Sequence, residues 1–191
     1  MDKGSSSFIT SIVIVSRYIP VWIANLILLL VILAIAPPTL SRTSFSAVLP
    51  LATFLAIAAL GQMLVIMTGG IDLSVPSVMT MAAVITVGVG AGSDSRLPQA
   101  IVTALAASCL VGFANGFLVS VFKLNALIVT LAVGQVVRGI VVEYNTGIAN
   151  EASVPRSLST WAAERFLGAS NIFWVGIVVS VLLTILLRYT T

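Results

Sequence analysis

Histidine is absent from these 191 residues, and cysteine occurs once, at Cys109 inside an apolar run. Zinc sites, histidine-based catalytic triads and disulfides are thereby excluded. Charge is scarce as well. Nine basic and six acidic side chains make up 8% of the chain, where a soluble domain carries roughly 25%. A soluble chain of this length would present about 48 charged groups to water, so the medium around most of this surface is lipid. The net charge of +3 does not point to nucleic acid, because the nine cations are scattered singly and nowhere form a patch that neutralises neighbouring phosphates.

What is present is apolar: 59% of the residues are hydrophobic. A spanning helix needs about 20 mostly apolar residues, and about six stretches qualify, near residues 18–36, 47–67, 75–91, 99–122, 126–144 and 172–187. The expected fold is all-α, a polytopic transmembrane helical bundle. The first stretch lacks a small-residue cleavage site and reads as a retained span rather than a signal peptide. Residues 1–17 precede it as a cytoplasmic N-terminal segment. With the N-terminus inside, Lys3, Arg17, Lys123 and Arg188 face the cytoplasm, and Arg42, Arg96, Arg156 and Arg165 face the other side. The positive-inside count is a tie, and Lys3 and Arg17 beside the first span decide for N-inside. Residues 145–170 form the longest polar loop, within which Trp161 to Leu167 has the spacing of a short interfacial helix, or of an ordinary loop helix.

Helices in lipid associate through close backbone approach. Ala104, Ser108, Gly112, Gly116 and Ser120 fall on one ridge of the fourth span, and Gly88 with Gly92 and Gly176 with Ser180 and Thr184 repeat the pattern. Ser108, Gly112 and Gly116 are the expected helix-packing residues. Polar groups at depth need partners. Asn115 beside Gly116 suits a helix-to-helix hydrogen bond. Gln62 lies late in the second span, and Gln135 and Arg138 share a face of the fifth while Glu143 points elsewhere. Arg138 is either a structural buried charge satisfied by another helix or a functional one.

The oddest feature is Thr68-Gly69-Gly70-Ile71-Asp72-Leu73-Ser74, which interrupts two apolar runs. It reads as a broken helix in which Ser74 or Asp72 caps the next helix and Pro76 sits in its first turn. Irregular backbone at depth survives only inside protein or beside a water-filled cavity, and transporters bind substrate at such breaks. Asp72 is therefore a functional candidate, against the alternative of a carboxylate that merely complements a helix dipole at the membrane surface.

From Gly61 through Gly69, Gly70, Asp72 and Ser74 to Val75, the sequence resembles the permeases of bacterial ABC importers for ribose and related monosaccharides. Asn115-Gly116-Phe117-Leu118-Val119 with Lys123-Leu124-Asn125, and Leu127 to Leu131 leading to Val137-Arg138-Gly139, fit the same family in order and spacing. Pro76 departs from it, standing where the family usually has glycine. The resemblance covers nearly all of this chain but only the family's first half, so a fragment, a split permease or a truncated product is expected, one that does not transport alone.

The resemblance implies a multi-pass subunit of the bacterial cytoplasmic membrane. Its partners would be a separate ABC ATP-binding subunit, a periplasmic sugar-binding protein and a second permease subunit, identical or not. The chain has no G-x-x-x-x-G-K-[ST] loop of its own. No enzyme activity, cofactor or metal is expected of it, and no catalytic constellation is present. Gln62, Asp72, Asn115 and Gln135 are the candidate path contacts for a neutral, hydroxyl-rich sugar. The alternatives are an ion-coupled secondary transporter using Asp72, and a membrane fragment without transport.

Overall fold

The computed structural model describes residues 3–148 and 152–190, with side chains from Ile19 to Ile148 and from Ala152 to Tyr189. The side chains of Lys3 and Arg17 and residues 149–151 of the long loop lie outside the described residues. Among the described residues are seven α-helices: α1 (Lys3–Ile35), α2 (Arg42–Met67), α3 (Val75–Gly90), α4 (Leu97–Ser120), α5 (Ala126–Ile148), α6 (Arg156–Ala163) and α7 (Asn171–Thr190). A two-residue hairpin of β1 (Arg165–Phe166) and β2 (Ala169–Ser170) joins the last two. The chain is thus a polytopic helical membrane protein. Helices α2, α4, α5 and α7 are long and apolar enough to cross a bilayer, whereas Ile19–Ile35 within α1 and Val75–Gly90 are shorter apolar helices.

The chain divides into two compact units, residues 1–48 and 49–191. In the first, α1 ends before a 3₁₀ turn at Pro37–Leu40. Ser41 then caps α2, its hydroxyl accepting from Ser44 N–H at 3.2 Å. The described side of α1 is apolar and exposed, with Trp22 at 74% and Ile35 at 79%.

The second unit is built on α3, which packs against both α4 and α5. Its core is small: Met81, Val137 and Val141, with Val78, Val84, Ile85, Ala107, Val111 and Val133 around them. Four of the five buried positions of α5, Thr130, Gly134, Val137 and Val141, recur at spacings of four and three, with Val129 beside them, the period that keeps one helical seam turned to a neighbour. In lipid the exterior needs no polar coat, so Leu110, Phe113 and Ile128 stand exposed.

Four elements differ from the sequence reading: α1 begins at Lys3 rather than near residue 18, α2 at Arg42 rather than near 47, and α5 and the loop helix also depart from it. α5 continues four residues past 144, because Tyr144 and Ile148 pack over Gly88 of α3, where an added Cβ would meet them at 2.7 and 2.6 Å. The short loop helix is Arg156–Ala163, starting after Pro155 rather than at Trp161. The chain turns extended at Glu164, and Leu167 (φ 50°) and Gly168 (φ 85°) form the two positive-φ corners of a tight hairpin. A helix through Leu167 is incompatible with that backbone. α3 keeps the expected bounds to within one residue; it is 16 residues long, about 24 Å, and begins inside the bundle rather than at its end.

Candidate functional site

Helices α2 and α3 are separated by residues 68–74, and glycine opens the break: Gly69 has φ +82°, a conformation that L side chains resist. The segment is recessed. Ser74 lies against Asn115, five residues before the end of α4, and against Gly134, eight residues into α5. Those offsets are about 8 and 12 Å along the helix axes. A Cβ on Gly134 would meet the Ser74 Cα at 3.2 Å, so only glycine lets α5 approach this closely.

At such a depth every free backbone group needs an internal partner, and side chains supply them. Gln62, with its amide set so that both ends are satisfied, donates to the Asp72 carbonyl and accepts from the Asp72 N–H, each at 3.1 Å. Thr130 accepts from Leu73 N–H at 3.0 Å and lies 3.3 Å from the Ile71 carbonyl. Gly70 N–H donates to the Val65 carbonyl at 3.1 Å. Ser74 stands at the N-cap of α3 without a side-chain cap bond; the Asp72 Oδ1 instead accepts from Ser74 N–H at 2.7 Å and from Ser74 Oγ at 2.6 Å.

That network also fixes Asn115. Because the Ser74 hydroxyl proton goes to Asp72, Ser74 Oγ can only accept from the amide, and Asn115 Nδ2 donates to it at 2.9 Å. Asn115 Oδ1 is left buried without a partner. An orphaned buried acceptor costs about 1–3 kcal/mol. The residue is 6% exposed and forms part of the wall of a cavity of about 430 Å³, a size within the roughly 300–1,000 Å³ of small-molecule sites. Asp72, Thr68, Gly112, Gly116 and Thr130 line it with Asn115.

The sequence candidates therefore separate. Asp72 and Asn115 meet through Ser74 at the cavity wall. Gln62 is committed to the backbone of the break and is absent from the lining. Gln135 is exposed elsewhere on α5. Arg138 is exposed beside a separate cleft of about 260 Å³ with Pro76, Ser77 and Thr80. Gly112 and Gly116 border the cavity, and a Cβ added to either would meet nothing within 4 Å. Half-buried Ser108 bonds back to the Ala104 carbonyl at 2.8 Å, and α4 buries Ala100, Ala104 and Asn115. Two residues were not singled out by sequence reasoning, Thr130 and Gly134. Their signal was a hydroxyl and a glycine four apart in an otherwise apolar helix.

The sequence matches the family described as branched-chain amino acid transport system / permease component over residues 44–191. It is 34% identical over 151 residues to the Autoinducer 2 import system permease protein LsrC of Salmonella paratyphi B, covering 79% of this chain and 43% of that protein. The protein of the same name in Salmonella typhi gives the same figures. That of Escherichia coli O9:H4 is 34% identical over 169 residues, 86% of this chain and 49% of its own length. The aligned part is thus less than half the length of these curated relatives. No solved structure matches.

Proposed function

This chain belongs to the branched-chain amino acid transport system permease family, and on that premise we propose that it forms part of the translocation path of a binding-protein-dependent ABC importer for a monosaccharide-like substrate. It is a multi-pass protein of the bacterial inner membrane. In this reading ATP hydrolysis resides on a separate subunit, a periplasmic binding protein delivers the substrate, and a second permease subunit completes the path. The helices alternate access between the two faces of the membrane.

The observation that carries the reading is the recessed break, with its cavity walled by Asp72 and Asn115. No lysine or arginine lines that cavity, so it holds no cation for an amino acid carboxylate. Among its polar lining groups, the Asp72 carboxylate and the Thr68 hydroxyl, whose proton goes to the Val65 carbonyl, can only accept. Acceptors suit a molecule that offers hydroxyl protons. The relatives named for import of autoinducer 2 favour the same choice over a branched-chain amino acid.

Uptake of labelled pentoses, hexoses and leucine into vesicles carrying the assembled importer tests this. The expected result is sugar uptake that needs both ATP and the binding protein and that falls roughly tenfold or more in Asp72→Ala and in Asn115→Ala, the scale of one lost transition-state contact. Unchanged uptake in both variants overturns the assignment of the path. Uptake driven by an ion gradient without ATP overturns the importer class, and leucine uptake overturns the substrate.

A further inference from the structure

The face that α4 turns to the cavity is Gly112, Asn115, Gly116 and Val119, which stand at the spacing of a single helical face. Asp72 and the rest of the break form another wall. Glycine is the residue that a helix interior tolerates least after proline, yet it holds two of these four positions. Gly69 is glycine for its positive φ, and Gly134 and Gly176 because a neighbour stands closer than a Cβ allows. Neither reason applies at Gly112 and Gly116. Both lack a positive φ, and among the described residues nothing lies within 4 Å of a Cβ added to either. A side chain at either position would enter the cavity that these residues line.

Asn115, between them, gives an independent sign that this space takes a ligand. It is 6% exposed, and its Oδ1 has no partner, while its Nδ2 is committed to Ser74 Oγ at 2.9 Å. A buried carbonyl oxygen in that state is satisfied by a donor that comes in through the cavity. Gly112 and Gly116 are four residues apart, about 6 Å along the helix axis, which leaves bare backbone for one ring and not for two. A ring lying against that backbone brings a hydroxyl up to Asn115.

We propose that Gly112 and Gly116 are specificity-determining residues of the translocation path. The space left by their missing side chains admits a single sugar ring, a hydroxyl of that ring donates to Asn115 Oδ1, and the α4 backbone sets the upper size limit of the substrate. The inference rests on the reading of this cavity as the path. Discrimination of this kind is steric: larger competitors are excluded by a clash rather than by a missing attraction.

The test is uptake of a labelled pentose and a labelled hexose into vesicles carrying the assembled importer, with alanine and leucine placed in turn at 112 and 116. Gly112→Ala and Gly116→Ala are expected to stay within about threefold of the parent, and Gly112→Leu and Gly116→Leu to lower kcat/KM for the hexose roughly tenfold or more, with the pentose less affected. Gly147→Leu, at an open glycine outside the cavity, should leave both rates unchanged. A second readout needs no transport. In a Cys109→Ala background, Thr68→Cys on the wall formed by the break is alkylated with a small and a bulky maleimide, and Gly116→Leu should slow the bulky reagent several-fold more than the small one. Equal loss of both sugars, or a leucine variant alkylated like the parent by both reagents, overturns the proposal and leaves the path itself to be judged by Asp72→Ala and Asn115→Ala. Parent vesicles that import neither sugar overturn both readings. Leucine variants that no longer co-purify with the other importer subunits would make these glycines packing residues and overturn the proposal as well.

Discussion

At the scale of single residues, the site is organised by where one proton goes. Ser74 is 1% exposed, and its hydroxyl is spent on Asp72, which makes the Asn115 amide present its NH₂ and strands Oδ1. Asp72 was legible in the sequence as the only carboxylate in a glycine-rich break. Its bonding was not, because nothing in one dimension tells whether a carboxylate turns back on its own helix or faces a cavity. Here Oδ1 turns back on Ser74 just before α3, while the residue still lines the cavity. Removing one partner of this network strands the others. Ser74→Ala is expected to cost about 1–3 kcal/mol, and Ser74→Ala combined with Asn115→Leu to recover most of that loss, because deleting both partners leaves no unpaired amide. Thermal unfolding of the detergent-solubilised protein checks the pair. A double variant as unstable as the sum of its singles would show that the two side chains do not act together.

At the scale of elements, helices were read from apolar length, and their packing faces from small residues. The helices α2 to α5 and α7 end within five residues of the apolar runs, since length reports the bilayer, whereas α1 starts fifteen residues before its run. The faces were harder, because a glycine serves equally where two helices touch and where a cavity needs a bare wall. Gly112 and Gly116 border open space, while Gly134 and Gly176 sit under a neighbour, the Ser74 backbone and the Thr53 methyl. Only the fold separates these cases. Thr130 was hidden for a related reason: a hydroxyl that bonds back to Ala126 at 2.8 Å looks like any threonine in a lipid helix until a second chain segment arrives. The contrast between glycines gives an expected outcome. Gly134→Val forces α5 away from the break and should destabilise by about 1–3 kcal/mol. Gly147→Ala, with nothing within 4 Å, should be neutral or stabilising by up to about 1 kcal/mol through helix propensity. Melting temperatures of the two purified variants against the parent measure both, and equal shifts would mean that α5 does not press on Ser74.

At the scale of the whole molecule, the two ends of the second unit are built differently. At one end the turn after α3 is tied to the segment before α6: Gly90 lies under Pro155, Gly92 N–H donates to the Ser153 carbonyl at 3.0 Å, and Asp94 accepts from Ser157 N–H and Oγ at 2.8 and 2.7 Å. At the other end the break opens on its cavity beside the α4–α5 turn. On the proposed reading the cavity opens towards whichever compartment holds the second end. Charge alone does not name that compartment, because the loop cations divide equally; the orientation expected from Lys3 and Arg17 beside the first span puts the break and the α4–α5 turn inside. In a Cys109→Ala background, a membrane-impermeant thiol reagent is expected to label Ser159→Cys in intact spheroplasts and Phe122→Cys only after the membrane is permeabilised. Labelling in the reverse order would turn the molecule over and put the break and its cavity on the outer side.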